Sequence, residues 1–158
     1  MDHTTESLEA TYIIGVSAPT SNIDGKAADV IGALWKQFYS ENVANKLFGR
    51  VNDDVYCVYS NYNEQQPNEY LTIIGCRVES VEDVPYGMTS VLIPEGTYAK
   101  FVSEGNPESV LKTWEWVWEA GFPRSYTSDF DLYKNAVTEP SVSEVQTFVA
   151  ISSDVSDE

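Results

Sequence analysis

The sequence predicts an α+β domain in which two βαββ halves share one antiparallel sheet, with both helices on one face. Three observations predict it. Two amphipathic helical stretches are each preceded by one β-rich run and followed by two. A polar linker, "ESVEDVPYGM", separates the two sets. The 158 residues, 42% of them hydrophobic, suit one domain, or two small repeats sharing one core.

In chain order, residues 1–9 read as a flexible tail. "TYIIGVSAP" (11–19) is a strand ended by Pro19, and "TSNIDGK" is a turn in which Asp24 is expected to cap a helix. From Ala27 to about Lys46, Val30, Ile31, Leu34, Trp35 and Phe38 recur at helical spacing, with Gly49 as a stop signal. "DVYCVYSNY" (54–62) and "EYLTIIGCRV" (69–78) form a hairpin across "NEQQPN". "TSVLIPEGTYAKFVSEG" (89–105) gives one strand, or two short ones broken at Pro94 and Gly96. A second helix runs from about Pro107 to Ala120 and ends at Gly121 and Pro123. "DFDLYK" and "EVQTFVAIS" are the last strands. The acidic end, "SDVSDE", reads as a disordered tail, residues 152–158 being set apart from the domain at 10–151.

The charge balance narrows function. A net charge of −16, from 25 acidic and 9 basic residues, argues against binding a nucleic-acid backbone or an anionic membrane. It suits solubility first and cationic ligands second. No signal-peptide pattern opens the sequence and no apolar run approaches the ~20 residues of a membrane span, so a cytoplasmic location is expected. Cys57 and Cys76 fall in neighbouring strands; buried thiols are preferred to a disulfide there. With His3 the only histidine, a His-based triad or His-rich metal site is not expected. No CxxC, phosphate loop or dinucleotide fingerprint points to a metal or cofactor.

Two stretches carry candidate function. In "SDFDLYK" (128–134), Asp129, Asp131 and Tyr133 share one strand face while Phe130 and Leu132 take the other. Acids are depleted in strands, and a buried carboxylate is costly unless partnered. Asp131 either faces a cleft whose missing partner is a ligand cation or faces solvent; periodicity alone favours solvent. In "VLKTWEWVWEAGF" (110–122), Val110, Leu111, Trp114, Val117 and Trp118 share a helix face and Trp116 points nearly opposite. That stripe packs on the sheet, while Trp114 and Trp118 equally suit a flat wall for a planar ligand.

Several runs carry a resemblance. "VYCVYSNYNEQQPNEYLTIIGCRVE", "VPYGMTSVLIPEGTYAKFVSEG" and "TWEWVWEAGFPRSYTSDFDLYK" resemble the GyrI-like (gyrase-inhibitor-like) small-molecule-binding family, the bacterial effector-binding domain. The resemblance spans roughly residues 10–151, with repeats at about 10–80 and 88–151. It implies a pseudo-twofold axis, a concave sheet and a ligand cleft between the halves. It implies binding of lipophilic, often cationic, aromatic compounds. It implies that Asp131 is the ligand-binding acid of that cleft, standing where the family usually has a glutamate, one methylene longer. Trp114 and Tyr133 become pocket walls, with Trp118, Tyr98 and Tyr59 as further contacts and Trp35 more a core residue. The implied role is a stand-alone binding protein that senses or sequesters a compound, with no DNA-reading segment ahead of residue 10. One alternative is a hydrolase of cyclopropane-type toxins, less favoured than binding. Another is an inhibitor acting on a protein partner such as gyrase.

Overall fold

The structure, a computed structural model, describes residues 1–63, 65 and 69–152. Its elements are β1 (Thr4–Leu8), β2 (Thr11–Ser21), α1 (Lys26–Ser40), β3 (Val55–Ser60), β4 (Glu69–Val78), β5 (Thr89–Ile93), β6 (Gly96–Glu104), α2 (Pro107–Glu119), β7 (Ser128–Tyr133) and β8 (Glu144–Ala150). The strands form one antiparallel sheet in the order β1-β6-β8-β7-β3-β4-β2-β5. The order reads the same from either end once the halves are interchanged. β3 meets β7 at the centre, β4 and β2 mirror β8 and β6, and the pseudo-twofold axis passes between β3 and β7.

The symmetry reaches further than the predicted repeats. Residues 4–8, expected as a tail, are a strand that pairs with β6 of the second half. β5, the second half's opening strand, pairs with β2 of the first. Each half therefore lends its first strand to the edge of the other. Glu6 on β1 also reaches Lys100 across that pairing at 3.4 Å. The run at 89–105 is two strands, because Pro94 and Glu95 break the ladder before Gly96.

Both helices lie on one face. α1 sets Leu34 and Phe38 on Val16, Val55, Cys57 and Ile74. α2 sets Val110, Trp114 and Val117 on Ala99, Phe101, Val145 and Val149. Burial of each such side chain contributes about 1.5–3 kcal/mol. Trp116, on the flank of α2, packs against Phe101, Phe122 and His3. The opposite face is buried too, through Ile13, Val58, Ile73, Tyr98, Phe130 and Phe148, because the sheet curls over itself. Gly15 and Gly75 face each other across β2 and β4. A Cβ on either would come within 2.0 or 2.1 Å of a backbone oxygen, so only glycine permits this close crossing.

The helix boundaries differ from expectation. α1 is capped by Gly25, not Asp24, and ends at Ser40. Asn42 then takes a left-handed conformation, and Val43–Lys46 is a separate 3₁₀ turn. Asn106 caps α2, its side chain accepting from the Ser109 amide at 2.8 Å, and Pro107 opens the first turn. Both cysteines are buried thiols. Most of the expected "NEQQPN" turn lies outside the described residues, as does the expected acidic tail from 153 on. No helix among the described residues is long and apolar enough to cross a membrane.

Candidate functional site

The helices flank the symmetry axis. α1 rests mainly on β2 and β4, and α2 on β6 and β8, one to either side of the central β3–β7 pair. Between them lies a cleft of about 860 Å³. Its α1 wall carries Ile31, Trp35 and Tyr39, its α2 wall Leu111, Trp114 and Trp118, and its floor Tyr59, Tyr62, Tyr70 and Tyr133. The rings brace one another. Trp35 meets Tyr133 edge-on at 4.7 Å, Tyr59 meets Trp114 at 5.4 Å, and Tyr70 meets both Tyr59 and Tyr62. Such a wall is apolar, rigid and rich in π faces.

Beneath this floor lie the carboxylates of β7. Strand alternation sends Phe130 and Leu132 into the core of the curled face. It sends Asp129, Asp131 and Tyr133 toward the helices. Asp131 is 0% exposed and pairs in register with Cys57 on β3 and Thr147 on β8. Its Oδ2 accepts from the Tyr59 hydroxyl at 2.6 Å, and its Oδ1 from the Thr147 hydroxyl at 2.5 Å. The Trp114 indole N–H reaches both oxygens, at 3.2 and 3.3 Å. All these donors are neutral. Burial raises the Asp131 pKa to about 6, and the hydrogen bonds from Thr147, Tyr59 and Trp114 only partly oppose it. Burial, then the Asp131 charge, pushes the Tyr59 phenol well up, so it stays a donor.

Asp129, also 0% exposed, is held differently. Arg124 Nη2 donates to its Oδ2 at 2.7 Å, the Tyr62 hydroxyl donates to the same oxygen, and the Ala150 amide donates to Oδ1 at 2.7 Å. The Arg124 guanidinium packs 4.3 Å from the Tyr126 ring and within 6 Å of Tyr62 and Trp114. Asp129 is thus neutralised inside the protein, and Asp131 is not.

Of the residues singled out from sequence, Trp114, Trp118, Tyr133 and Tyr59 line the cleft. Asp131 lies under Tyr59 and Trp114 and does not itself line the cleft. It is buried rather than facing solvent, which disposes of the periodicity-based preference. Tyr98 is a correction. The phase of β6 turns Ala99 and Phe101 toward α2, so Tyr98 points into the opposite core. There it meets Phe130, and its hydroxyl donates to the Pro94 carbonyl at 2.6 Å. Trp35, read more as core, is a cleft wall. Tyr39, Tyr62, Tyr70 and Arg124 went unread. Only Tyr39 carried a signal, four residues after Trp35 on the same helix face. Among the described residues no cluster of three or more His, Cys, Asp or Glu side chains could hold a metal ion.

Over residues 4–151 the sequence matches the family described as integron-associated effector-binding protein. The chain belongs to that family. It is similar to YobU of Bacillus subtilis (strain 168), a candidate transcriptional regulator, 29% identical over 150 residues that cover 91% of this chain and 94% of YobU. An integron cassette protein from the mobile metagenome of Vibrio cholerae shares the fold, with a TM-score of 0.73, 24% identity and 95% of each chain covered. So does SAV2435, solved with tetraphenylphosphonium bound, with a TM-score of 0.72, 16% identity, and 97% of this chain and 95% of that one covered. The GyrI-like resemblance read from the sequence holds.

Proposed function

We propose that this effector-binding protein takes a lipophilic, cationic aromatic compound into the cleft between α1 and α2, to sense or sequester it. One observation carries the reading: a fully buried carboxylate with no cationic partner among the described residues lies directly under an aromatic floor. Desolvation disfavours its charged form, and a ligand cation would relieve that cost. The two need not touch. A unit charge about 7 Å away gains on the order of 2 kcal/mol at an effective dielectric near 20. Tyr59 and Trp114 transmit the effect, because each donates to Asp131 while lining the cleft, and a donor bonded to an anion is polarised. Cation–π contact adds on the order of 1–2 kcal/mol.

The kinship supports this reading. Tetraphenylphosphonium is a lipophilic aromatic cation, and the protein solved with it has the same fold. The hydrolase alternative draws less support. Each Asp131 oxygen already accepts from two donor groups, which leaves the carboxylate poorly placed to orient a water.

The test is a titration with tetraphenylphosphonium followed by tryptophan fluorescence. Trp35, Trp114 and Trp118 line the cleft, so binding should change emission saturably, and Asp131→Asn should weaken it. Emission that changes only linearly with added cation would contradict the proposal.

A further inference from the structure

The cleft's one guanidinium is not used up by its ion pair. Arg124 Nη2 serves Asp129 and, at 3.3 Å, the Tyr62 hydroxyl. Nε is sealed from solvent and has no hydrogen-bond partner. Nη1 makes no hydrogen bond among the described residues either, yet it is not sealed, and Arg124 lines the cleft. A side chain only 9% exposed that lines the cleft therefore keeps the two N–H donors of Nη1 unused.

The surroundings hold that arrangement in place. Arg124 is pinned through its backbone by an isolated bridge to Ile151. Tyr126 covers the guanidinium while its own backbone sits at φ 56°, a left-handed conformation that costs a bulky residue on the order of 1–2 kcal/mol.

We infer that Arg124 Nη1 is a second recognition point in the cleft, binding a neutral hydrogen-bond acceptor, a carbonyl oxygen, on the ligand. The inference rests on the cleft reading above and narrows its ligand class to aromatic cations that also carry a carbonyl. A neutral acceptor suits the place better than an anion. Asp129 already balances the guanidinium, and Asp131 adds negative charge to the same floor. The ligand's cation then lies over Tyr59 and Trp114 and its carbonyl at Arg124.

The experiment compares two dyes that differ at one group. Tetramethylrhodamine methyl ester carries a carbonyl on its pendant ring, and tetramethylrosamine lacks it. The wild-type chain should bind the ester about tenfold more tightly, as expected of a hydrogen bond from a charged donor. In Arg124→Lys the ammonium is taken by Asp129, and the ratio of the two affinities should fall toward one. The double variant Arg124→Gln/Asp129→Asn, which removes both charges of the ion pair together, should do the same and serves if the lysine variant does not fold. Equal affinities of the wild type for the two dyes would overturn the inference while leaving the cleft reading intact. So would an ester preference that survives both substitutions. Failure of the wild type to bind either dye or tetraphenylphosphonium would remove the cleft reading and this inference together.

Discussion

Asp129 and Asp131 sit two residues apart on one strand, on one face, both without solvent contact, yet their situations are opposite. Asp129 has a guanidinium, a phenol and a backbone amide, and its charge is balanced within the molecule. Asp131 has a phenol, an indole and a hydroxyl, three neutral donors and, among the described residues, no cation. The first arrangement is that of a buried structural pair. The second leaves a charge cost unmet, and an aromatic cleft lies beside it. Where a protein leaves a buried charge unbalanced beside a cavity, the cavity is where the balancing charge is expected.

The contrast can be broken in several ways, the largest effect first. Arg124→Ala should strand Asp129 and cost about 3–5 kcal/mol of stability at pH 7, read by urea unfolding. Asp131→Asn should carry no such cost, since the amide removes the charge that burial penalises. If the two substitutions destabilise equally, the contrast between the aspartates fails.

The next effect is in pH. The folded-state pKa of Asp131 lies near 6, above the ordinary carboxylate value of 3.8, so the folded protein holds this proton more tightly than the unfolded chain. The stability it contributes is complete below about pH 3.8 and is lost as pH rises through about 6. Relative to Asp131→Asn, the wild type should therefore lose about 3 kcal/mol between pH 3.5 and pH 7. A constant gap between the two across that range would show that Asp131 is not penalised by burial. Smaller again is Tyr59→Phe, which removes the 2.6 Å donor and should cost about 1–2 kcal/mol at pH 7 while moving the Asp131 titration upward. Least is Trp118→Ala at the cleft mouth. That side chain is about half exposed, so stability should change by no more than about 0.5 kcal/mol, with cation affinity falling only a few-fold.

The sheet and both helices were readable because their side chains announce them. Leu34 and Phe38 repeat at helical spacing, Phe130 and Leu132 alternate with acids, and Trp114 recurs with Val110 and Val117. β1 was not readable. "TTESL" has one apolar residue, and what makes it a strand is backbone pairing to β6, which leaves no mark on side-chain pattern. Tyr98 was misplaced for a related reason. Pro94 and Gly96 reset the phase of the ladder, and the alternation within "GTYAKF" can be counted only once that break is fixed. Asp131 stood out because an acid inside a strand needs a cause. Arg124 did not, because its link to Asp129 depends on a left-handed turn at Tyr126 that no residue type there signals. Local chemistry was legible, whereas pairings made by loop geometry were not.

The central claim is that the charge on Asp131 draws a cation into the cleft. Its neighbours Cys57, Tyr59 and Tyr133 are all pushed upward in pKa by burial first and then by Asp131 itself, so they stay protonated near neutral pH. The decisive measurement is the affinity for tetraphenylphosphonium between pH 5 and pH 8, in the wild type and in Asp131→Asn. Wild-type affinity should rise through about pH 6 and level off, while the variant should bind more weakly at pH 8 and show no such rise. Superimposable curves for the two proteins would contradict the account.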